Sequence, residues 1–166
     1  MTTLKQVQRI VRSYGFGATV RLSYADTIER TRACLKEQGF GVLTEIDVRK
    51  TMKEKLNAEF RPYVILGACN PPLAHRALSA ELGIGLLLPC NVIVYDNGDG
   101  TSSVEAMDPQ AALSLVGGNP TIAEVADEAA KRLRRAIDAL TTPNSSPAGI
   151  QMTSARSPES MTPRQG

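Results

Sequence analysis

The chain contains no tryptophan, and aromatic residues are only 4% of its 166 positions. A core without large rings must be aliphatic, and the 42% hydrophobic content is enough to build one. No excess of one charge is present either: 19 Lys and Arg against 17 Asp and Glu leave +2. That balance excludes the strongly basic surface of a nucleic-acid or anionic-membrane binder. No run approaches the roughly 18 consecutive apolar residues that span a bilayer. Met1 to Arg12 is polar and lacks an apolar h-region, so no signal peptide is expected there. Cysteine is scarce: Cys34, Cys69 and Cys90. An odd count without an export signal argues against a disulfide framework and points to a reducing cytoplasm.

Motifs of familiar enzyme classes are missing too. There is no Cys-x-x-Cys, no P-loop, no paired-carboxylate motif and no spacing for a Ser/His/Asp set. Pairs such as Gly15/Gly17 and Gly39/Gly41 lack the third glycine of a dinucleotide loop. Lys131, Arg132, Arg134 and Arg135 alternate with Asp127, Glu128 and Asp138, the pattern of a solvated helix face. Catalytic residues are therefore unknown at this level, as are cofactors, and no metal set is assigned.

What is present reads as alternating strands and helices. A polar lead-in, 1–13, is expected to hold one helical turn around Leu4, Val7 and Ile10. Residues 16–22 alternate as a strand. Ser23 with Asp26 three positions on forms a capping box for a helix carrying Tyr24, Ile28, Thr31 and Leu35 on its buried stripe. Gly39 ends it, and Cys34 beside the stripe is expected to pack. Residues 40–47 form a second strand, so strand, helix and strand suggest a crossover unit. A short charged helix or turn follows over 48–57. Tyr63–Ala68 is apolar on both faces, as in a central strand. Asn70-Pro71 opens a helix with Leu73, Ala77, Leu78 and Leu82 as its apolar face and Gly83 as its end. Residues 90–95 and 101–107 are strands joined by Asp96-Asn97-Gly98-Asp99-Gly100, a strong hairpin signal. Asn119-Pro120 starts a long helix with a 3.6-residue period from Ile122 to Leu140. Residues 141–166 are too polar to offset their ordering entropy and read as a disordered tail.

The candidate chemistry lies in a repeated pair, Cys69-Asn70 and Cys90-Asn91. The first closes one apolar run and the second opens another. If those strands lie antiparallel and adjacent, two thiols, two carboxamides and the single histidine, His75, share one sheet edge. A thiol pair can be redox active, hold a soft metal or carry sulfur. Cys69 stands before a helix N-terminus, whose dipole and free N–H groups stabilise a thiolate, so it is expected to be the more acidic thiol. The plainer alternative is packing, with Asn70 as a helix cap.

The segments Ile65-Leu66-Gly67-Ala68-Cys69-Asn70-Pro71-Pro72-Leu73-Ala74, Leu88-Pro89-Cys90-Asn91-Val92 and Met107-Asp108-Pro109 resemble the family known as domain of unknown function 302, DUF302. So do Thr51-Met52-Lys53-Glu54-Lys55-Leu56 and Phe60-Arg61-Pro62-Tyr63. The resemblance runs over about residues 14–140. It implies an α+β domain with one mostly antiparallel sheet and helices on one face, often a homodimer. It implies no reaction.

The combined expectation is a single α+β domain over 14–140 with a mostly antiparallel sheet of about five strands, in the order β-α-β-β-α-β-β-α. It is expected to bind a small molecule, a metal or a sulfur species at Cys69, Asn70, His75, Cys90 and Asn91. The alternative is a non-enzymatic homodimeric structural or interaction module. Neither reading calls for nucleic acid or a membrane.

Overall fold

A computed structural model describes residues 8–142. Six strands form one antiparallel sheet in the order β1-β2-β6-β5-β4-β3: β1 Gln8–Arg12, β2 Gly15–Val20, β3 Gly41–Asp47, β4 Tyr63–Cys69, β5 Cys90–Asp96 and β6 Ser102–Met107. Five helices accompany it: α1 Tyr24–Glu37, α2 Val48–Leu56, α3 Pro71–Ala80, α4 Pro109–Leu113 and α5 Pro120–Thr141. The fold is α+β, with six strands rather than about five. Of the expected tail, 141–166, Thr141 ends α5 and residues 143–166 lie outside the described residues, as do Leu4 and Val7.

The extra strand is β1. Its segment does not form a helical turn: Gln8–Arg12 pairs antiparallel with β2, Ile10 opposite Gly17. Ile10 and Val11 are β-branched, and the short turn at 13–14 returns the chain along β2. The strand, helix and strand over 15–47 do form a crossover, but a long one. Alternating antiparallel pairing makes β2 and β3 parallel, four ladders apart, and α1 carries the chain across.

Local signals hold the helix starts. Ser23 accepts from the Asp26 N–H at 3.1 Å, Asn70 from the Leu73 N–H at 3.3 Å, and Asn119 from the Thr121 and Ile122 N–H groups. Gly39 takes φ 82°, so the α1 terminus can turn into Phe40. The end of α3 departs from expectation. It stops at Ala80 rather than Gly83, and a 3-10 turn over Leu82–Leu87 follows. Leu73 and Ala77 are buried, while Leu78 and Leu82 face solvent.

The main core lies between one sheet face and the helices α1 and α5. Val64, Leu66, Ala68, Val92, Val94, Val104 and Ala106 pack against Leu35, Leu133, Ala136 and Ile137. Cys34 is buried in this cluster, as its place beside the α1 stripe suggested. A second, smaller core joins Leu73, Ala77, Ile84 and Leu113 to the first half of α5 through Ile122, Val125, Ala126 and Ala129. α5 is thus shared by both cores.

Candidate functional site

The site is built where the two cores meet, at the end of β4 and the start of β5. The ladder pairs Ala68 with Cys90 and Gly67 with Asn91. Cys69 is therefore one step out of register with Cys90. Side chains alternate along a strand, so Cys90 leaves the sheet on the core face with Val92, and Cys69 on the opposite face with Ile65. The two cysteines are neighbours on adjacent strands but not a facing pair.

Both nonetheless line one cavity, together with Asn70, Phe40, Leu73, Leu88 and Pro89. Ala129 and Val125 of α5 close its far side. Its walls come from both aliphatic clusters, Phe40 and Ala68 from the first and Leu73, Ala77 and Leu113 from the second. Its volume is about 30 Å³. That is room for about two waters, far below the roughly 300–1,000 Å³ of a drug-sized pocket. Hydrocarbon lines it almost everywhere.

All three cysteines are free. Burial pushes the Cys90 thiol up to about 11, with the neighbouring Cys69 adding to the rise. Burial also raises the Cys69 thiol above its ordinary value. Cys69 is thus raised less than Cys90, the order expected of the two, but neither thiol is lowered, for a local reason. The first two helical positions are Pro71 and Pro72, which have no N–H, and the Leu73 N–H is held by Asn70. None of these three backbone positions is left to stabilise a thiolate at Cys69.

Cys69, Asn70 and Cys90 thus share the cavity. His75 and Asn91 do not line it; both are exposed, His75 on the outer side of α3 and Asn91 at the β5 edge of the cluster. Among the described residues no group of three or more His, Cys, Asp or Glu is placed to hold a metal ion. Glu45, Asp47 and Asp108 are also dispersed. Glu45 pairs with Arg32, Asp47 caps α2, and Asp108 caps α4 and binds Arg134.

Sequence reasoning missed one polar group entirely. On the sheet face turned away from α1 and α5, Glu105 is held by Arg12 and by the Tyr95 hydroxyl, which donates at 2.9 Å. Arg12 binds it twice, through Nε and through Nη2 at 3.0 Å. The pairing pulls the Glu105 carboxyl below its usual range and raises the guanidinium. Tyr63 stacks on Tyr95 with centroids 5.6 Å apart. The only sequence signal was a carboxylate in a strand of otherwise uncharged residues.

Among the described residues no helix is long and apolar enough to cross a membrane. A family model described as "Domain of unknown function DUF302" matches residues 16–140. The crystal structure of an uncharacterized conserved DUF302 protein from Bacillus stearothermophilus superposes with a TM-score of 0.69 at 34% sequence identity. The match covers 75% of this chain and 96% of that one. None of the curated proteins matches.

Proposed function

The chain belongs to the DUF302 family, and from that premise we propose that it is a small-ligand-binding domain whose ligand seats in the Cys69/Cys90 cavity. One observation carries this reading: two free thiols from separate strands and a buried carboxamide meet on a cavity otherwise walled by hydrocarbon. Thiols raised by burial are neutral at pH 7 and act as soft, polarizable walls. Metal binding and sulfur transfer both draw on a thiolate, so the same shift favours a neutral or apolar contact with the ligand. The volume limits the enclosed part of the ligand to a few heavy atoms.

1-Butanol is a suitable probe. It is expected to shift the backbone amide signals of residues 69, 70 and 90 and to slow iodoacetamide labelling of Cys69. Ala129→Leu, which fills the cavity from α5, is expected to abolish both effects with the circular dichroism unchanged. Labelling of Cys69 that is indifferent to saturating alcohol overturns the reading.

A second reading, a homodimeric module, is favoured by a separate observation. Across the face turned away from α1 and α5, the strand registers align Ile46, Ile65 and Ile93, then Glu105. Ile46 is 50% exposed, and the adjoining row carries Tyr63 and Tyr95. Glu105 is neutralised within the chain, so covering this face leaves no unpaired charge. Self-packing of that isoleucine row is the expected dimer contact. Sedimentation should then give a dimer for the wild type and a folded monomer for Ile65→Lys; a monomeric wild type at 100-fold dilution from about millimolar and also at the stock concentration rules it out.

A further inference from the structure

β1 adds nothing to either hydrophobic core, and four of its five residues are exposed. What holds it is the outer edge of β2. Its residues pair along that edge from Gln8 opposite Thr19 to Arg12 opposite Gly15. Two arginines then grip the sheet from its two faces. Arg9, opposite the buried Ala18, reaches Asp138 of α5 at 2.8 Å on the helical face. Arg12 passes over the bare strip of Gly15 and Gly17 on the other face and binds Glu105 of β6. Both acids belong to the rest of the domain, so the β2 edge carries its recognition groups independently of β1.

An open backbone row with one carboxylate on each face selects an extended segment with cations three positions apart. Side chains alternate along a strand, so positions i and i+3 point to opposite faces, as the two acids require. β1 is one such segment, Arg9-Ile10-Val11-Arg12, and it leaves part of the edge unused. A cavity of about 100 Å³ lies between β1 and α5, walled by Val11, Phe16, Arg134 and Ile137. Val11 is 85% exposed and does not fill it. Arg134 lies 4.1 Å over the Phe16 ring and is paired with Asp108, so these walls suit an aromatic ring. The hold on β1 is also light. The Arg9 and Asp138 side chains are 67% and 52% exposed, the kind of ion pair that contributes least. When β1 leaves, the chain stays fastened at its base, where the Asp108 N–H donates to the Tyr14 carbonyl at 2.9 Å.

We propose that the β2 edge is a docking site for an extended segment of a partner protein with the pattern Arg-x-aromatic-Arg, and that β1 is its built-in competitor. The partner segment pairs antiparallel with β2, sets its two cations on Asp138 and Glu105, and places its ring beside Phe16 and Ile137. Charge complementarity selects the ends of the segment, and the cavity selects its third residue. This site is separate from the Cys69/Cys90 cavity and does not depend on it.

The peptide acetyl-QRIFR-amide is titrated into the full-length chain and followed by proton–nitrogen correlation spectra. The amide signals of residues 8–12 are expected to move to unfolded-chain positions while those of β2 shift. Acetyl-QRIVR-amide, a copy of β1, is expected to bind about tenfold more weakly, because valine leaves the cavity unfilled. Acetyl-QQIFQ-amide, without the cations, is expected not to bind. Ile10→Gly/Val11→Gly weakens β1 without changing charge or touching a core. It is expected to tighten acetyl-QRIFR-amide about tenfold with the helical circular dichroism unchanged. Failure of this folded variant to bind the peptide at about 1 mM overturns the proposal, as does wild-type binding that leaves the signals of residues 8–12 in place. A variant that dimerises on sedimentation and thereby excludes the peptide also overturns it, since a second copy is then the occupant.

Discussion

Gly17→Ala is expected to lower the unfolding free energy by about 3 kcal/mol, the upper end of what overpacking costs. β2 lies against β6 with Gly17 opposite Glu105. A Cβ on residue 17 would run into the Val104 carbonyl and come within 2.8 Å of Glu105 Cα. Both obstacles are backbone, so relief requires β2 to move away from β6 and stretch their ladder. The same Cβ would press on Glu105 Cγ at 2.8 Å and unseat the carboxylate from Arg12. Urea denaturation should show a lower midpoint with an unchanged slope. Gly41→Ala is the matched control, because a Cβ there meets nothing within 4 Å. It should stay within about 0.5 kcal/mol of wild type. A small effect at Gly17 would mean that β2 does not lie where the register places it.

The second large effect depends on pH. Glu105→Gln preserves the shape and the acceptor for the Tyr95 hydroxyl but removes the charge that Arg12 holds. The carboxyl is held below its ordinary value in the folded state, chiefly by the Arg12 hydrogen bond. A carboxylate depressed by folding stabilises the protein above its unfolded pKa, about 4.3, and that stabilisation is lost as pH falls through the folded value. The wild type should therefore exceed Glu105→Gln by about 2 kcal/mol at pH 7. This is less than the roughly 3–5 kcal/mol of a fully buried pair, because the Arg12 side chain is 41% exposed. The two stability curves should converge below pH 4. Parallel curves across that range would show that the depressed carboxyl lies elsewhere.

Much of the architecture was legible without coordinates. Asn70-Pro71 and Asn119-Pro120 marked helix starts because a capping side chain followed by a residue without an N–H suits only that place. The buried stripe of α5 followed from a 3.6-residue period over 22 residues. The β5–β6 hairpin followed from glycines at 98 and 100, both with φ near 80°. Short-range signals failed where tertiary contact outweighed them. The helix opened by Asn70-Pro71 was expected to run on through Leu82 to Gly83. Ile84 is buried and Leu87 packs partly against the second core, and the segment folds as a 3-10 turn with Leu82 and Leu86 outside.

The chain alone determined the class of fold, the ends of most helices and the neighbourhood of Cys69 and Cys90, since each depends on residues within a few positions or on one repeating period. Strand register, the opposite orientation of the two thiols and the strong rise of the Cys90 thiol were decided by the tertiary structure. They arise between segments 20 to more than 60 positions apart, and no local propensity carries information about a one-residue slip. Burial is likewise a property of the packed molecule, which is why the thiol shifts appear only once α5 closes over the sheet end.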